Sequence, residues 1–98
     1  MRIYKWEKTF TPSGGAVSFN TQEIRGEVRN LQIKPTTATT RYTVTVTNDD
    51  SVVVYKQSIT GNLLDERLRS WYGIYTVAIS AATVDESFSM EIDYVDLQ

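Results

Sequence analysis

Hydrophobic and polar positions alternate along most of this chain with a period of two, the spacing of a half-buried strand. In residues 2–10, Tyr4, Trp6 and Phe10 share one parity while Ile3, Lys5, Glu7 and Thr9 share the other. This predicts an edge strand or an extended arm over residues 1–12. Pro12, Ser13, Gly14 and Gly15 follow as a turn cluster, since proline fixes φ and paired glycines tolerate positive φ. Val17 and Phe19 then give a short strand. Over residues 23–34 the phase changes, with Ile24 and Val28 on one parity and Leu31 and Ile33 on the other. A bulge near Arg29 and Asn30, or a strand crossing between sheets, restores a single inward face. Gly26 inside this run marks a close backbone approach. Pro35 ends the run, and residues 36–40 read as a polar loop.

The segment RYTVTVT alternates strictly, with Tyr42, Val44 and Val46 facing in and Thr43, Thr45 and Thr47 facing out. Asn48, Asp49, Asp50 and Ser51 supply a tight turn, and residues 52–60 return as the hairpin partner. Val52, Val53 and Val54 are apolar on both parities, which suggests a central strand or an interface on the second face. Leu64, Leu68 and Trp71 recur at helical spacing, with Asp65, Glu66, Arg67 and Arg69 mostly on the wet side. Residues 61–72 are nevertheless too short for a firm helix and read as an irregular loop with anchored apolar side chains. Residues 73–82 form the cleanest strand, with Tyr75, Val77, Ile79 and Ala81 on one parity. A turn through Thr83, Val84, Asp85 and Glu86 leads to a last strand carrying Phe88, Met90, Ile92 and Tyr94.

About seven to eight short strands separated by turn clusters, with no strong helix, predict an all-β fold: an antiparallel β-sandwich or jelly-roll-like barrel. The length of 98 residues suits one domain over 1–98. Composition supports a globular chain, with 41% hydrophobic and 22% charged residues. Oligomerisation would add to the modest stability of so small a core.

The formal net charge of −2 gives no concentrated positive face, so nucleic acid is not an expected partner. The absence of cysteine excludes disulfides and thiolate metal sites, and the absence of histidine removes the commonest general base. No cofactor is expected. No secretory signal pattern opens the sequence and no run reaches the roughly 18 apolar residues of a membrane span, so a soluble, non-membrane protein is expected. Asp49 with Asp50, and Asp85 with Glu86, offer hard oxygen ligands, but without the spacing of a calcium loop they read as turn chemistry. The same carboxylates, as a glycosidase pair, would need a cleft that so small a sandwich hardly offers.

Trp6, Trp71 and Tyr72 lie outside the clearest strands. Large aromatics there either close the core or anchor a partner, since interface hot spots favour Trp and Tyr. Arg2, Lys5 and Lys8 make the start basic, while Asp85, Glu86, Glu91, Asp93 and Asp96 make the end acidic. The two ends are expected to pair or to remain scattered surface charge.

The run RYTVTVTNDDSVVVYKQ, followed by TGNL and GIYTVAISAATVDESF, resembles small all-β structural proteins of tailed bacteriophages. The approach PTTATT, the Gly61-x-Leu63 connection and the corner from Ala82 to Phe88 belong to the same likeness, which covers about residues 23–92. It implies a non-enzymatic virion protein of the capsid decoration or cement kind. Such a protein is made in the host cytoplasm and bound to the major capsid protein on the shell exterior. A self-associating form is expected, with a trimer favoured. On this reading Arg2, Tyr4, Lys5, Trp6 and Lys8 dock on the shell, and Trp71 and Tyr72 contact a neighbouring subunit. A neck, adaptor or tail component is the nearest alternative. A carbohydrate-binding module stacking sugars on Trp6 or Trp71 is the second.

Overall fold

The computed structural model describes residues 2–96, so residues 1, 97 and 98 of the expected domain, and the first residue of the expected arm, lie outside the described residues. Nine strands form among the described residues: β1 (Arg2–Phe10), β2 (Val17–Asn20), β3 (Ile24–Pro35), β4 (Arg41–Thr47), β5 (Val53–Thr60), β6 (Leu63–Asp65), β7 (Arg69–Gly73), β8 (Thr76–Ser80) and β9 (Phe88–Asp96). There is no helix among the described residues. One sheet has the order β1-β9-β3-β6, with β7 also on β3, and the other has the order β2-β8-β4-β5. Every pairing is antiparallel. Early and late strands interleave in both sheets, the jelly-roll arrangement of two packed sheets.

The alternation sets which side chains fill the space between the sheets. Ile24, Val28, Leu31 and Ile33 from β3, Phe88, Met90, Ile92 and Tyr94 from β9, and Tyr42, Val44 and Val46 from β4 are all buried. The phase change in β3 is resolved by a bulge: the register with β9 shifts between Val28 and Asn30, which leaves Arg29 extra. Both apolar pairs therefore face in, as the two-for-one geometry of a bulge requires.

β1 is an edge strand, paired with β9 over its whole length from Arg2 opposite Asp96 to Phe10 opposite Phe88. The hairpin β4–β5 also forms. In its turn the Asn48 side-chain oxygen accepts the amides of Asp50 and Val52, each at 3.0 Å. β5 lies at the outer edge of its sheet, so the three valines do not belong to a central strand.

The largest departure from expectation falls in residues 61–72. Two short strands, β6 and β7, replace the irregular loop, and both pair in tandem with the same side of β3. Leu63, Asp65 and Trp71 turn inward, while Leu64 and Leu68 are exposed. The leucines expected as anchors thus sit outside, because strand parity and not a 3.6-residue period governs the segment. The expected long strand over 73–82 is also divided: Gly73 closes β7, and β8 begins at Thr76.

Candidate functional site

The residues singled out from the sequence separate into two groups. Trp6 and Trp71 retain only 9% and 3% exposure. Trp6 stacks near Phe19, with ring centroids 6.2 Å apart, and Trp71 stacks on Tyr75 at 4.6 Å. Both indoles are core, so neither is available to a partner or a sugar that docks on the folded chain. This corrects their placement as contact residues: each lies on the inward parity of a strand, and parity outweighs the preference of interfaces for tryptophan.

Arg2, Lys5 and Lys8 are exposed, Tyr4 is half-buried and Tyr72 is 62% exposed. Tyr4 stacks on Tyr94 at 5.3 Å, and the Lys8 ammonium sits 5.4 Å from the Phe19 ring centre. Lys5 lies 3.7 Å from carboxylate oxygens of both Glu7 and Glu91. The basic start and the acidic end thus meet within one chain, across the β1–β9 ladder. Tyr72 lies on β7, which β9 and β3 separate from β1. At about 4.8 Å per strand that is roughly 14 Å, so Tyr72 and the basic strand do not form one site.

The acidic turn residues act as fasteners. Asp85 accepts the amides of Gly14 and Gly15 at 2.9 and 2.8 Å, which joins the first turn to the last. Glu86 accepts the Thr37 amide and the hydroxyls of Thr37 and Thr40, and these bonds lower its pKa. No group of three acidic side chains placed to hold a metal ion occurs among the described residues.

Asp65 is the charged side chain that the sequence reading placed in water and the fold buries. Arg67 and Arg69 meet one of its oxygens at 2.9 and 3.1 Å, and the Arg69 guanidinium lies 4.9 Å from the Tyr55 ring centre. The hydrogen bonds from Arg67 lead in holding the Asp65 carboxyl well below the usual carboxylate range, against the opposing effect of burial. A carboxylate so firmly ionised is a poor proton carrier near neutrality. Its role is to lock the gap between β6 and β7.

The two outer faces of the sandwich differ sharply. On the first sheet, cross-strand rows run Lys5–Asp93–Asn30, Glu7–Glu91–Gln32 and Thr9–Ser89–Lys34. A shallow hollow of about 230 Å³ lies here, lined by Glu7, Gln32, Lys34 and Glu91 among others. Burial raises the Glu91 pKa, and neighbouring Asp93 acts in the same direction. On the second sheet the rows are Ser80–Thr43–Ser58, Ser18–Ala78–Thr45–Lys56 and Asn20–Thr76–Thr47–Val53. These three rows contain one charge, Lys56, against five in the rows of the first sheet, and Arg41 opposite Thr60 adds a second charge at the end of the same face.

This small-residue face continues into exposed apolar side chains. Val52 and Val53 are 55% and 53% exposed at the start of β5. Tyr72 at the end of β7 and Ile74 just after it are exposed nearby, where Gly73 lies close to the Asp49 carboxylate. The valine run had been the sequence signal for an interface on the second face. RYTVTVT showed Thr43, Thr45 and Thr47 facing out, but not the small side chains that neighbouring strands set beside them.

A nine-stranded jelly-roll sandwich with one charge-poor face is therefore the class the coordinates define. No family model and no curated protein matches the sequence, so the phage likeness stays with the residue runs quoted above. Among solved structures, the chain is similar to the Yersinia pseudotuberculosis-derived mitogen (YPM), with a TM-score of 0.57 and 13% identity over 99% of this chain and 89% of that one. At that identity the likeness is one of fold alone. A second similarity is to the structure of infectious bursal disease virus Gt strain, with a TM-score of 0.42 and 10% identity. It takes in 95% of this chain and 32% of that one, and an overlap so loose carries no argument.

Proposed function

We propose that this chain is a structural virion protein of the tailed-phage kind, which self-associates and fastens to the exterior of a protein shell by contact with the major capsid protein. Its work on this reading is adhesion, with no chemical step. The observation that carries it is the outer face of the β2-β8-β4-β5 sheet, whose rows through Thr43, Thr45 and Thr47 hold the single charge Lys56. Interface cores are depleted of charged residues because each ion costs desolvation when a partner covers it. Short hydroxyl and methyl side chains lose little rotamer freedom when covered. Many such contacts, repeated over a shell, fasten by avidity even where each is weak.

The test is co-sedimentation with purified shells of the parent virus. Thr45→Lys in the centre of the threonine face should abolish binding, while Gln32→Lys on the opposite face should leave it intact. Equal binding by both variants overturns the assignment of the face. Labelled particles distinguish the neck, adaptor or tail alternative, which would show one axial site in place of many icosahedral ones. With Trp6 and Trp71 in the core, the carbohydrate-binding alternative loses its stacking platforms, and hits on a glycan array would be needed to restore it.

A further inference from the structure

We infer that the hollow at the Arg41 end of the second sheet's outer face is a carboxylate-binding site, filled by an Asp or Glu side chain of the shell protein when that face is covered. The site stands on its own chemistry, and only the source of the carboxylate rests on the preceding reading.

The hollow measures about 350 Å³ and is lined by Arg41, Thr43, Ser58, Thr60, Ala81 and Thr83 among others. Arg41 stands opposite Thr60 and Thr43 opposite Ser58 on the β4–β5 ladder. The turn after β8 closes the end of the row. There the Thr83 amide donates to the Arg41 carbonyl at 3.0 Å, and the Thr83 hydroxyl oxygen accepts the Arg41 amide at 3.0 Å. That bond leaves the Thr83 hydroxyl proton free. The Thr43 and Ser58 hydroxyls lie 2.9 Å apart, so one proton makes their mutual bond and the other is free. Spare hydroxyl protons beside a guanidinium suit a group that only accepts hydrogen bonds, which is the property of an ionised carboxylate.

Charge selects the occupant. Arg25, Arg29, Arg67 and Arg69 each lie 2.8 to 3.1 Å from a carboxylate oxygen, and Arg2 donates to the Tyr4 hydroxyl. The Arg41 side chain has no hydrogen bond or ion pair among the described residues. No acid stands in the rows of its face. The acids of the adjoining corner are engaged, Asp85 by the Gly14 and Gly15 amides and Glu86 by Thr37 and Thr40. Asp49 and Asp50 lie in the turn beyond Thr47, roughly 20 Å along β4 from Arg41. A partner that covers this face must therefore bring an acid of its own or leave a guanidinium desolvated and unpaired, which is strongly unfavourable. The planar guanidinium meets a carboxylate through two parallel bonds. Its single charge balances one carboxylate, where a phosphate group would bring nearly two. Because the hollow opens onto the threonine face, it suits a side chain projecting from a covering surface.

Two measurements separate the site from its source. The free protein, labelled with nitrogen-15, is titrated with N-acetyl-glutamate amide, a single blocked carboxylate, and followed by NMR. Shifts should cluster at the amides of Arg41, Thr43, Ser58, Thr60 and Thr83 and saturate in the millimolar range. Arg41→Gln should abolish them, and the uncharged N-acetyl-glutamine amide should not produce them. Scattered shifts, no shifts, or shifts that survive Arg41→Gln overturn the site. Co-sedimentation with purified shells then reads the source. Arg41→Gln should weaken binding at least about tenfold, while Lys34→Gln, which removes the same charge from the opposite face, should leave it unchanged. Shell binding indifferent to Arg41→Gln overturns the assignment of the carboxylate to the shell protein. If wild type binds no shell yet shows the Arg41-dependent shifts, the carboxylate site stands and the shell reading falls.

Discussion

Gly26 offers a direct test of how the first sheet is held. It sits in β3 opposite Trp71 of β7, with φ at +148°, and an added Cβ would lie 2.0 Å from the Val95 carbonyl oxygen on β9. Real Cβ atoms essentially never come within 3.0 Å of such an atom, so Gly26→Ala must move β3 and β9 apart by about 1 Å. A shift of that size breaks two or three ladder bonds at roughly 1 kcal/mol each. The disfavoured φ adds about 1–3 kcal/mol. The expected loss is therefore about 3–6 kcal/mol, a large part of the ~5–15 kcal/mol typical of a domain. Gly14→Ala provides the control, because Gly14 also has positive φ, +64°, but nothing lies within 4 Å of its built Cβ. It should cost only the ~1–2 kcal/mol of a left-handed alanine. Urea unfolding followed by far-UV circular dichroism measures both. If the two variants lost the same stability within about 1 kcal/mol, the close approach of β3 to β9 would not be what requires glycine, and the reasoning would fail.

Other substitutions probe the polar fasteners. Tyr42→Phe removes the 2.8 Å bond from its hydroxyl to the Gly61 carbonyl, for an expected loss of about 1–2 kcal/mol and a fall in Tm of roughly 5–15 °C by differential scanning calorimetry. Burial pushes the Tyr42 phenol up to about 12. A raised pKa means stability is intact below the unfolded value near 10 and is lost as pH rises from there through 12, so urea midpoints should fall over that window. Asp65 has its pKa lowered, mainly by Arg67, so its contribution is fully present above the unfolded value near 4 and declines as pH falls below it. Asp65→Asn should cost about 2–3 kcal/mol at pH 7, with a smaller difference from wild type at pH 2; an equal difference at both pH values would refute the ionic lock.

What could be read from the sequence was whatever depends on strand parity. The hairpin β4–β5 and the close approach at Gly26 each follow from a local rule, and the phase change near Arg29 left only a bulge or a strand crossing, of which the register with β9 selects the bulge. Residues 61–72 did not yield, because Leu64, Leu68 and Trp71 satisfy a helical spacing while Leu63, Asp65 and Trp71 satisfy a strand spacing. Only pairing with β3 decides between them. The burial of Asp65 was hidden for the same reason: a charged residue goes inside only when its partners are already in place, and Arg69 arrives on a separate strand. Whether Trp6 and Trp71 close the core or anchor a partner stayed open in the sequence, because composition at interfaces says nothing about which parity a given strand turns inward. The threonine face became visible as a surface only when three neighbouring strands could be seen to supply equally small side chains.

The position of β9 between β1 and β3 has a consequence for how the chain is made. Phe10 must find Phe88, and Trp6 must find Ile92, before either row of the first sheet exists. During synthesis the apolar side of β1 thus remains uncovered while about 80 further residues emerge, whereas β4 and β5 can meet as soon as their turn is made. The second sheet is the natural seed and the first sheet its late completion, with long-range closure setting the rate. A nascent chain halted before β9 would hold all four strands of the second sheet but leave β1 orphaned, with its apolar side open to aggregation.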